Sequence, residues 1–209
     1  MFSLIKWEIK KNLRPGVLII WALGLVLGFK GVFTNFGIEE AYAALFSKYY
    51  LLAVLFIGLA MFTMFSGSFV REYNSNIDGL IKASKNGKQQ LVLAKFIANG
   101  ISASVINLSI FMVMLGRIMS AFKFEGLDLP SKSLWYFANS GSNVTILQMI
   151  LIMTITIIIG SFLFAAIGLY LSSLSKKATM PLILGGLTMG IPYFIVFQGG
   201  KELIFSFLV

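Results

Sequence analysis

Five long apolar stretches dominate the pattern of hydrophobic and polar positions along this chain. Each has the length of roughly 17 to 25 residues that a helix needs to cross about 30 Å of hydrocarbon. The stretches cover residues 16–36, 49–69, 91–120, 144–171 and 180–197. The pattern therefore predicts about five membrane-spanning helices. Residues 201–209 are too short to span, and they fit either an interfacial segment or the stump of a sixth span.

A short amphipathic segment precedes the first span. Its apolar side chains fall on one helical face: Phe2, Ile5, Ile9 and Leu13. Its basic side chains lie toward the other side: Lys6, Lys10, Lys11 and Arg14. Residues 1–15 are therefore predicted to form a helix in the cytoplasmic membrane interface, with Trp7 at headgroup depth. The alternative is an ordinary basic flank that happens to be helical. A cleaved signal peptide is not expected, because no small-residue cleavage site follows.

Composition places these helices in a membrane protein. Hydrophobic residues make up 58% of the 209 positions and charged residues 12%, and the mean hydropathy is +0.89. An ordinary globular chain has roughly 45–50% apolar and about 25% charged residues. Too little polar surface is left to cover a water-soluble globule, which excludes a soluble enzyme, a nucleic-acid-binding module and a disordered tail. The predicted fold is an all-α, polytopic membrane helical bundle, with residues 1–209 forming one transmembrane domain.

The distribution of basic side chains predicts the orientation, because short cytoplasmic loops retain an excess of Lys and Arg. Eleven fall at the N-terminus and in alternate loops: Lys6, Lys10, Lys11, Arg14, Arg71, Lys82, Lys85, Lys88, Lys95, Lys176 and Lys177. Six fall on the other side: Lys30, Lys48, Arg117, Lys123, Lys132 and Lys201. The N-terminus and residues 70–90 are thus predicted to be cytoplasmic, and residues 121–143 to form an extracellular loop. The net charge of +9 then comes mostly from basic residues in cytoplasmic segments, and no nucleic-acid partner is expected. Lys30, Lys95 and Arg117, near span ends, are expected to snorkel toward the membrane surface.

Several kinds of chemistry need residue types that the sequence lacks. It contains no Cys and no His, so zinc sites, thiol nucleophiles and imidazole bases are excluded. No Asp or Glu falls inside the five apolar stretches, which argues against ion-coupled transport and against an intramembrane hydrolase. The phosphate-binding pattern GxxxxGK(S/T) is also missing. We therefore expect no catalytic residue, no metal site and no cofactor bound by this chain. Any ATP-driven step needs a second polypeptide.

The polar groups inside the spans are small and neutral. They are densest in the third span, where Asn99, Ser102 and Asn107 are candidate cavity or packing groups, together with Ser104 and Ser109. Such groups either line a translocation path or a partner surface, or join neighbouring helices by hydrogen bonds, as Ser and Asn commonly do in membranes.

Two GxxxG pairs allow helices to approach closely. They are Gly24 with Gly28 in the first span and Gly186 with Gly190 in the fifth. Their partner helix belongs either to the same chain or to a second copy.

Residues 70–90 form the longest predicted cytoplasmic loop. An Asn or Ser at positions 74–76 can cap a short helix there, and Asn86 with Gly87 can end it. Ile77, Leu80 and Ile81 share one face of that helix. A merely solvated loop has less reason to expose three large apolar side chains. The pattern favours a surface helix that serves as a handle for a soluble partner.

In this segment the sequence resembles the type-2 permeases of ATP-binding-cassette (ABC) transporters. Their usual pattern is an acidic residue after the second span, a Gly about seven residues later, a Leu, a short basic turn and a Lys entering the third span. The corresponding positions here are Glu72, Gly79, Leu80, residues 82–88 and Lys95. The amphipathic N-terminal segment and the long outside loop are also similar to that family, whose members usually have six spans per subunit.

The resemblance implies a coupling helix that docks on a cytoplasmic ABC ATPase subunit, which would bind ATP and Mg²⁺. The implied contact residues are Glu72, Ile77, Gly79, Leu80, Lys82, Lys85 and Lys88. The resemblance also implies a permease dimer, of like or unlike chains, that exports a hydrophobic or amphipathic substrate such as a peptide, drug or lipid. We expect a multi-pass protein of the cell membrane, in contact with membrane lipid, from a bacterial source.

Two functions of other classes stay open. One is a non-transporting membrane scaffold or accessory subunit, which confers immunity to a toxic peptide by binding it. The other is the membrane substrate-binding component of an importer, which would bind a small polar solute. A membrane enzyme is the weakest alternative, because it needs acid and base groups that the spans lack.

Overall fold

The computed structural model describes residues 1–32, 35, 37–52, 55–56, 58–65, 67–69, 87–138, 143–174, 179–180 and 183–187. Over these residues the chain is helical and forms no strand, which confirms the all-α class. The helices are α1 (Phe2–Asn12), α2 (Pro15–Gly31), α3 (Ile38–Leu52), α4 (Gly58–Phe65), α5 (Gly87–Phe122) and α6 (Ile146–Ser173). Residues 183–187 are also helical.

Two or three of these helices are candidates to cross a membrane. Residues Gln89–Phe122 of α5 and all of α6 are long and apolar enough to do so. Helices α1 and α2 satisfy the same requirement together, as a pair bent by 71°. The predicted second span is divided between α3 and α4, and most of the predicted fifth span lies outside the described residues. The count of five spans therefore stays a prediction.

The bend between α1 and α2 follows from a proline. Pro15 occupies the first turn of α2, where its missing N–H is not needed. Its ring keeps the preceding residue out of the helical region, and Arg14 is extended, with φ −81° and ψ 159°. Helix α1 must therefore stop before Pro15, and the chain starts a new helix in another direction.

Within the described residues, four helical segments alternate in direction: α2, α3 with α4, α5, and α6. We call these segments passes. Contacts at the opposite end from α1 join the passes there, since Arg117 donates to the Phe29 carbonyl at 2.8 Å and Tyr42 donates to the Glu125 carbonyl at 3.3 Å. At the end that carries α1, Lys95 donates to the Ser68 carbonyl at 2.7 Å. We call these two ends the α1 end and the opposite end.

Helix α5 lies at the centre of the bundle and packs against α1, α2, α3, α4 and α6. Five of its large apolar side chains are almost completely buried: Ile106, Ile110, Phe111, Met114 and Ile118. Gly28 of α2 approaches this row so closely that an added Cβ would lie 3.3 Å from both Ile110 and Met114. The first GxxxG pair thus packs within the chain, because Gly24 also lies against Ile110.

The opposite end is closed by a compact turn. Lys123 and Phe124 adopt positive φ angles of 49° and 66°, and Gly126 follows with φ 81°. Gly126 also lies directly against the Ile38 side chain, so a larger residue would fit neither the angle nor the space. Thr145 then caps α6, accepting from the Gln148 N–H at 3.3 Å while the Gln148 side chain accepts from the Thr145 N–H at 3.1 Å.

Candidate functional site

The site residues predicted from the sequence fall into two groups. Those of the coupling segment lie outside the described residues: Glu72, Ile77, Gly79, Leu80, Lys82 and Lys85. Lys88 lies in the first turn of α5, and only its backbone is described. Asn99, Ser102 and Asn107 all lie in α5 and are buried. The structure therefore describes the flanks of the coupling segment and the polar groups of the interior.

Both flanks of residues 70–86 are held at the α1 end. On one flank, Lys95 donates to the Ser68 carbonyl, and its ammonium lies 5.5 Å from the centroid of the Phe69 ring. The Phe69 N–H donates to Ser172 Oγ at 3.1 Å, in the last turn of α6. On the other flank, α5 begins at Gly87. The predicted coupling segment thus begins and ends at the same end of the bundle.

A buried ion pair joins α1 to this end. Lys95 Nζ lies 3.1 Å from Glu8 Oε2, and the two side chains are 2% and 5% exposed. Lys11 Nζ approaches the other oxygen, Glu8 Oε1, at 2.7 Å from a more exposed position. Charges are stable in such surroundings only when further hydrogen bonds satisfy them, and the Ser68 carbonyl and Lys11 supply these. The expectation that Lys95 snorkels is therefore wrong, because Glu8 offers it a counter-charge inside the bundle.

A layer of neutral polar groups lies next to the ion pair. Asn12 Nδ2 donates to Asn99 Oδ1 at 2.7 Å and to Ser102 Oγ at 3.2 Å. Asn99 Nδ2 donates in turn to Ser68 Oγ at 3.3 Å. The inward face of α1 is thus polar, whereas its apolar residue Phe2 is 84% exposed. The interfacial position of α1 stays a prediction, and this exposed apolar side chain is what such a position requires.

Asn107 joins passes of the chain near the middle of the bundle. Tyr49 Oη donates to Asn107 Oδ1, and Asn107 Nδ2 donates to Ser161 Oγ at 3.5 Å. Nearby, Trp21 Nε1 of α2 donates to Ser109 Oγ at 2.7 Å. Ser104 Oγ is buried with no hydrogen-bond partner among the described residues. Asn99, Ser102, Asn107 and Ser109 of α5 are thus all engaged in hydrogen bonds with other helices.

An apolar groove of about 600 Å³ opens between the first turns of α5 and the last turns of α6. Its walls are formed by Phe69, Val92, Phe96, Ala166, Leu169, Tyr170 and Ser173. Only Tyr170 and Ser173 bring polar side chains to it, and neither is charged. An apolar or amphipathic molecule fits these walls better than an ion does.

We call the polar residues that are bonded to one another at the α1 end, together with Ser172, the polar cluster: Glu8, Asn12, Ser68, Lys95, Asn99, Ser102 and Ser172. Its bonds join different helices and can position them. Its one carboxylate, Glu8, is engaged by two lysines. In the described ranges, no three Asp or Glu side chains lie close enough together to hold a metal ion.

Sequence reasoning missed four members of this cluster: Glu8, Asn12, Ser68 and Ser172. Glu8 had a usable signal, because it is the only acidic residue in the first 38 positions, and Asn12 follows one helical turn later. Ser68 and Ser172 had none, since their partners are distant in sequence and are brought to them by packing.

Comparison with known proteins adds no family to this description. No protein-family model, no curated protein and no solved structure matches the chain.

Proposed function

We propose that this chain is the permease subunit of an ABC exporter, which moves a hydrophobic or amphipathic substrate across the cell membrane. The pattern from Glu72 to Lys95 supports this function, and so does the geometry of its flanks. The observation that carries the proposal is the bond from Lys95 to the Ser68 carbonyl, which ties the end of the second pass to α5 across the segment. A surface segment tied to the bundle on both sides can pass a push from a soluble partner to the helices.

The proposed arrangement in the membrane has five spans and a cytoplasmic N-terminus. It is supported by the side chains at the two ends of the bundle. The α1 end holds four basic residues from the N-terminal segment: Lys6, Lys10, Lys11 and Arg14. The opposite end also holds basic residues (Lys30, Arg117, Lys123 and Lys132), but four acidic residues lie beside them: Glu39, Glu40, Glu125 and Asp128. Under the positive-inside rule, the basic N-terminal segment supports a cytoplasmic α1 end.

The proposed mechanism is mechanical. Two permease subunits, of like or unlike chains, work with cytoplasmic ATPase subunits that bind ATP and Mg²⁺. Closure of the ATPases pushes on residues 77–88, tilts the spans and switches a cavity from inward to outward access. Glu72 and the lysines of residues 82–88 orient the ATPase. Residues of this chain take no part in bond breaking.

The groove between α5 and α6 supports the substrate class. It lies at the α1 end, where a molecule from the inner leaflet would arrive, and its walls include the aromatic rings of Phe69, Phe96 and Tyr170. Aromatic and aliphatic walls with a polar rim suit a lipid-like or peptide-like molecule with an apolar part.

The first experiment is purification of the detergent-solubilised chain from its native membrane, with vanadate-sensitive ATPase activity measured on the proteins that accompany it. We expect an ATPase to co-purify with the wild type. Charge reversal of Lys82, Lys85 and Lys88 to Glu should release it, because the basic turn faces the partner. A preparation of the wild type without any ATPase would refute the exporter function.

The matched control reverses three exposed lysines at the opposite end, Lys30, Lys123 and Lys132, and should leave ATPase retention unchanged. Because charge reversal near the N-terminal half can also invert a membrane protein, the orientation of both variants is checked by labelling from either side of the membrane. Equal loss of the ATPase in both variants would mean that the coupling segment has no special role.

The second candidate function is a membrane scaffold or immunity subunit that transports nothing. The observation that favours it is the occupation of Asn99, Ser102 and Asn107 by hydrogen bonds within the bundle. A scaffold predicts a bound peptide or membrane partner in the preparation. It also predicts that substitutions in residues 70–90 leave the ATPase activity of the membrane unchanged.

A further inference from the structure

Lys95 joins three elements at the α1 end. It belongs to α5, its Nζ lies 3.1 Å from Glu8 Oε2 of α1, and it donates to the Ser68 carbonyl at 2.7 Å, at the end of the second pass. An ammonium group carries three hydrogens that can point in different directions, so one Lys can serve several acceptors. Lys95 Nζ thus holds both α1 and Ser68 in position against α5.

Burial makes these two bonds difficult to replace. Lys95 is 2% exposed, so water cannot take over when a partner is lost. Loss of the ammonium leaves the buried Glu8 carboxylate without this counter-charge, which strongly disfavours the docked position of α1. The 2.7 Å bond to the Ser68 carbonyl is as short as charge-assisted hydrogen bonds commonly are, and the 3.1 Å contact with Glu8 joins two opposite charges.

We infer that Lys95 is a positioning residue, whose ammonium fixes the base of residues 70–86 and docks α1 on the same point. The contact of that segment with an ATPase rests on the proposed function, whereas the positioning of α1 and Ser68 by Lys95 does not. Lys95 acts from inside the bundle, by holding the Ser68 flank of the segment against α5, where the segment ends. The geometry that a cytoplasmic ATPase meets is then set by a residue that the ATPase does not touch.

The two bonds differ in chemistry and can be separated by substitution. Lys95→Met removes both, with a side chain of similar length. Glu8→Gln removes the ion pair but leaves the bond to the Ser68 carbonyl. The exchange Glu8→Lys with Lys95→Glu rebuilds the ion pair, yet a carboxylate cannot donate to a carbonyl, so the Ser68 bond stays broken.

The natural absence of Cys allows each contact to be measured directly. Asn12→Cys with Ser102→Cys reports the docking of α1, because the two native side chains are 3.2 Å apart. Ser68→Cys with Asn99→Cys reports the base of the segment, where the native atoms are 3.3 Å apart. Each pair is cross-linked in membranes with a short bifunctional thiol reagent, and the yield is read by mass spectrometry. A third pair at the opposite end, Lys132→Cys with Asn143→Cys, reports whether the fold survives.

The expected results form a split pattern. Lys95→Met should lower the yields at both α1-end pairs by about fivefold or more, the equivalent of losing one hydrogen bond of about 1 kcal/mol. Glu8→Gln should lower only the Asn12–Ser102 yield, and the charge exchange should restore that yield alone. The matched control, Lys10→Met, removes an exposed cation from the same helix and should leave both yields within about twofold, as expected of a surface substitution.

Unchanged yields in Lys95→Met would overturn the inference, as would an equal loss at both pairs in Glu8→Gln while the opposite-end pair still cross-links. The ATPase assay adds a readout that a merely structural residue would not move selectively. Lys95→Met should release more ATPase than Glu8→Gln does. Equal ATPase retention in the two variants, while Lys95→Met lowers the Ser68–Asn99 yield, would overturn the role of Lys95 in presenting the segment to the ATPase. A wild type without any ATPase would defeat the proposed function, and the cross-linking yields would still decide the positioning role.

Discussion

At the scale of single residues, the buried polar groups of this bundle fix the packing register between neighbouring helices. Asn99 meets Asn12, Asn107 meets Tyr49, and each pair joins positions more than fifty residues apart in the sequence. In apolar surroundings an unpaired amide or hydroxyl costs about 2–7 kcal/mol, so a shift of one helix by a turn would be penalised at each such point. The pairs therefore select one packing among many that are equally apolar.

Tyr49 provides a direct test of this role. Tyr49→Phe keeps the ring against Phe111 and removes only the hydroxyl that donates to Asn107. We expect a loss of about 0.6–2 kcal/mol in unfolding free energy, the range measured for interhelical hydrogen bonds in membranes. Thermal unfolding in detergent measures it. The control is Tyr170→Phe, which removes a hydroxyl from a side chain that is 65% exposed, and equal effects of the two variants would contradict the role.

Tyr136 provides a second test, in the loop at the opposite end. Burial raises the pKa of Tyr136 above its usual value of 10, and the nearby Tyr50 raises it further. A raised pKa means that the folded state holds its proton longer than the unfolded state does. The corresponding contribution to stability is present below pH 10 and is lost as the pH rises through the folded-state pKa.

The measurement is ultraviolet difference absorbance of the phenolate, taken between wild type and Tyr136→Phe. We expect the difference signal to appear at a higher pH for the folded protein than for the same protein in denaturant. Coincident titrations in the two states would show that the loop does not bury this ring.

For most of the buried hydrogen bonds, the sequence pattern identified only one of the two residues that form the bond. Asn99, Ser102 and Asn107 stood out because they are polar within an apolar run. Their partners Asn12 and Tyr49 did not, since Asn12 lies in a polar flank and Tyr49 begins a predicted span. Pairing is a property of packing between distant segments, which the order of residues along one segment does not contain.

At the scale of elements, boundaries agree with the sequence where a strong local signal exists. Pro15 starts α2 and the Thr145 capping box starts α6, both within two residues of the predicted spans. Helix α3 is the exception, because it begins at Ile38 and not near residue 49. Glu39 and Glu40 lower the hydropathy there, although acidic residues in a first turn stabilise the helix through its dipole. Hydropathy and helicity are different properties, and the prediction used only the first.

Helix contacts predict which glycines matter. A Cβ on Gly168 would lie 2.6 Å from the Phe65 Cβ, an atom fixed to the backbone of α4. Gly168→Ala should therefore push α4 and α6 apart and destabilise the protein by about 1–3 kcal/mol, as overpacking commonly does. The control on the same helix is Gly160→Ala, because nothing lies within 4 Å of its added Cβ. Thermal unfolding of both variants decides the matter, and a neutral Gly168→Ala would mean that this interface is looser than its geometry indicates.

At the scale of the whole molecule, composition and hydropathy were sufficient to predict an all-helical chain, of whose described helices two or three are long and apolar enough to cross a membrane. The bundle's centre was not predictable in this way. Helix α5 takes that place because Gly24 and Gly28 of α2 lie close against its Ile110, and its own Gly100 lies close against Phe162 of α6. Small residues allow two helices to approach but do not determine which helix approaches. The sequence therefore left open whether the partner helix belongs to the same chain or to a second copy.

Orientation is the prediction that belongs to this scale. A single cysteine at Ser3→Cys lies in α1, and one at Lys132→Cys lies in the loop at the opposite end. With a membrane-impermeant thiol reagent, we expect Lys132→Cys to be labelled in sealed right-side-out vesicles and Ser3→Cys only in inverted ones, since the basic end stays inside. The cysteine-free parent is the background control. The reverse labelling pattern would invert the proposed topology and place the coupling segment outside.

The length of α5 has a consequence for how the bundle deforms. Its 36 residues extend over about 54 Å, well beyond the about 30 Å of hydrocarbon, so a single crossing leaves several of its turns outside the lipid chains. Helix α5 is one continuous helix, whereas the neighbouring pass is described as two helices, α3 and α4. A push on the Gly87 end of α5 is therefore carried to Phe122 along one unbroken series of backbone hydrogen bonds.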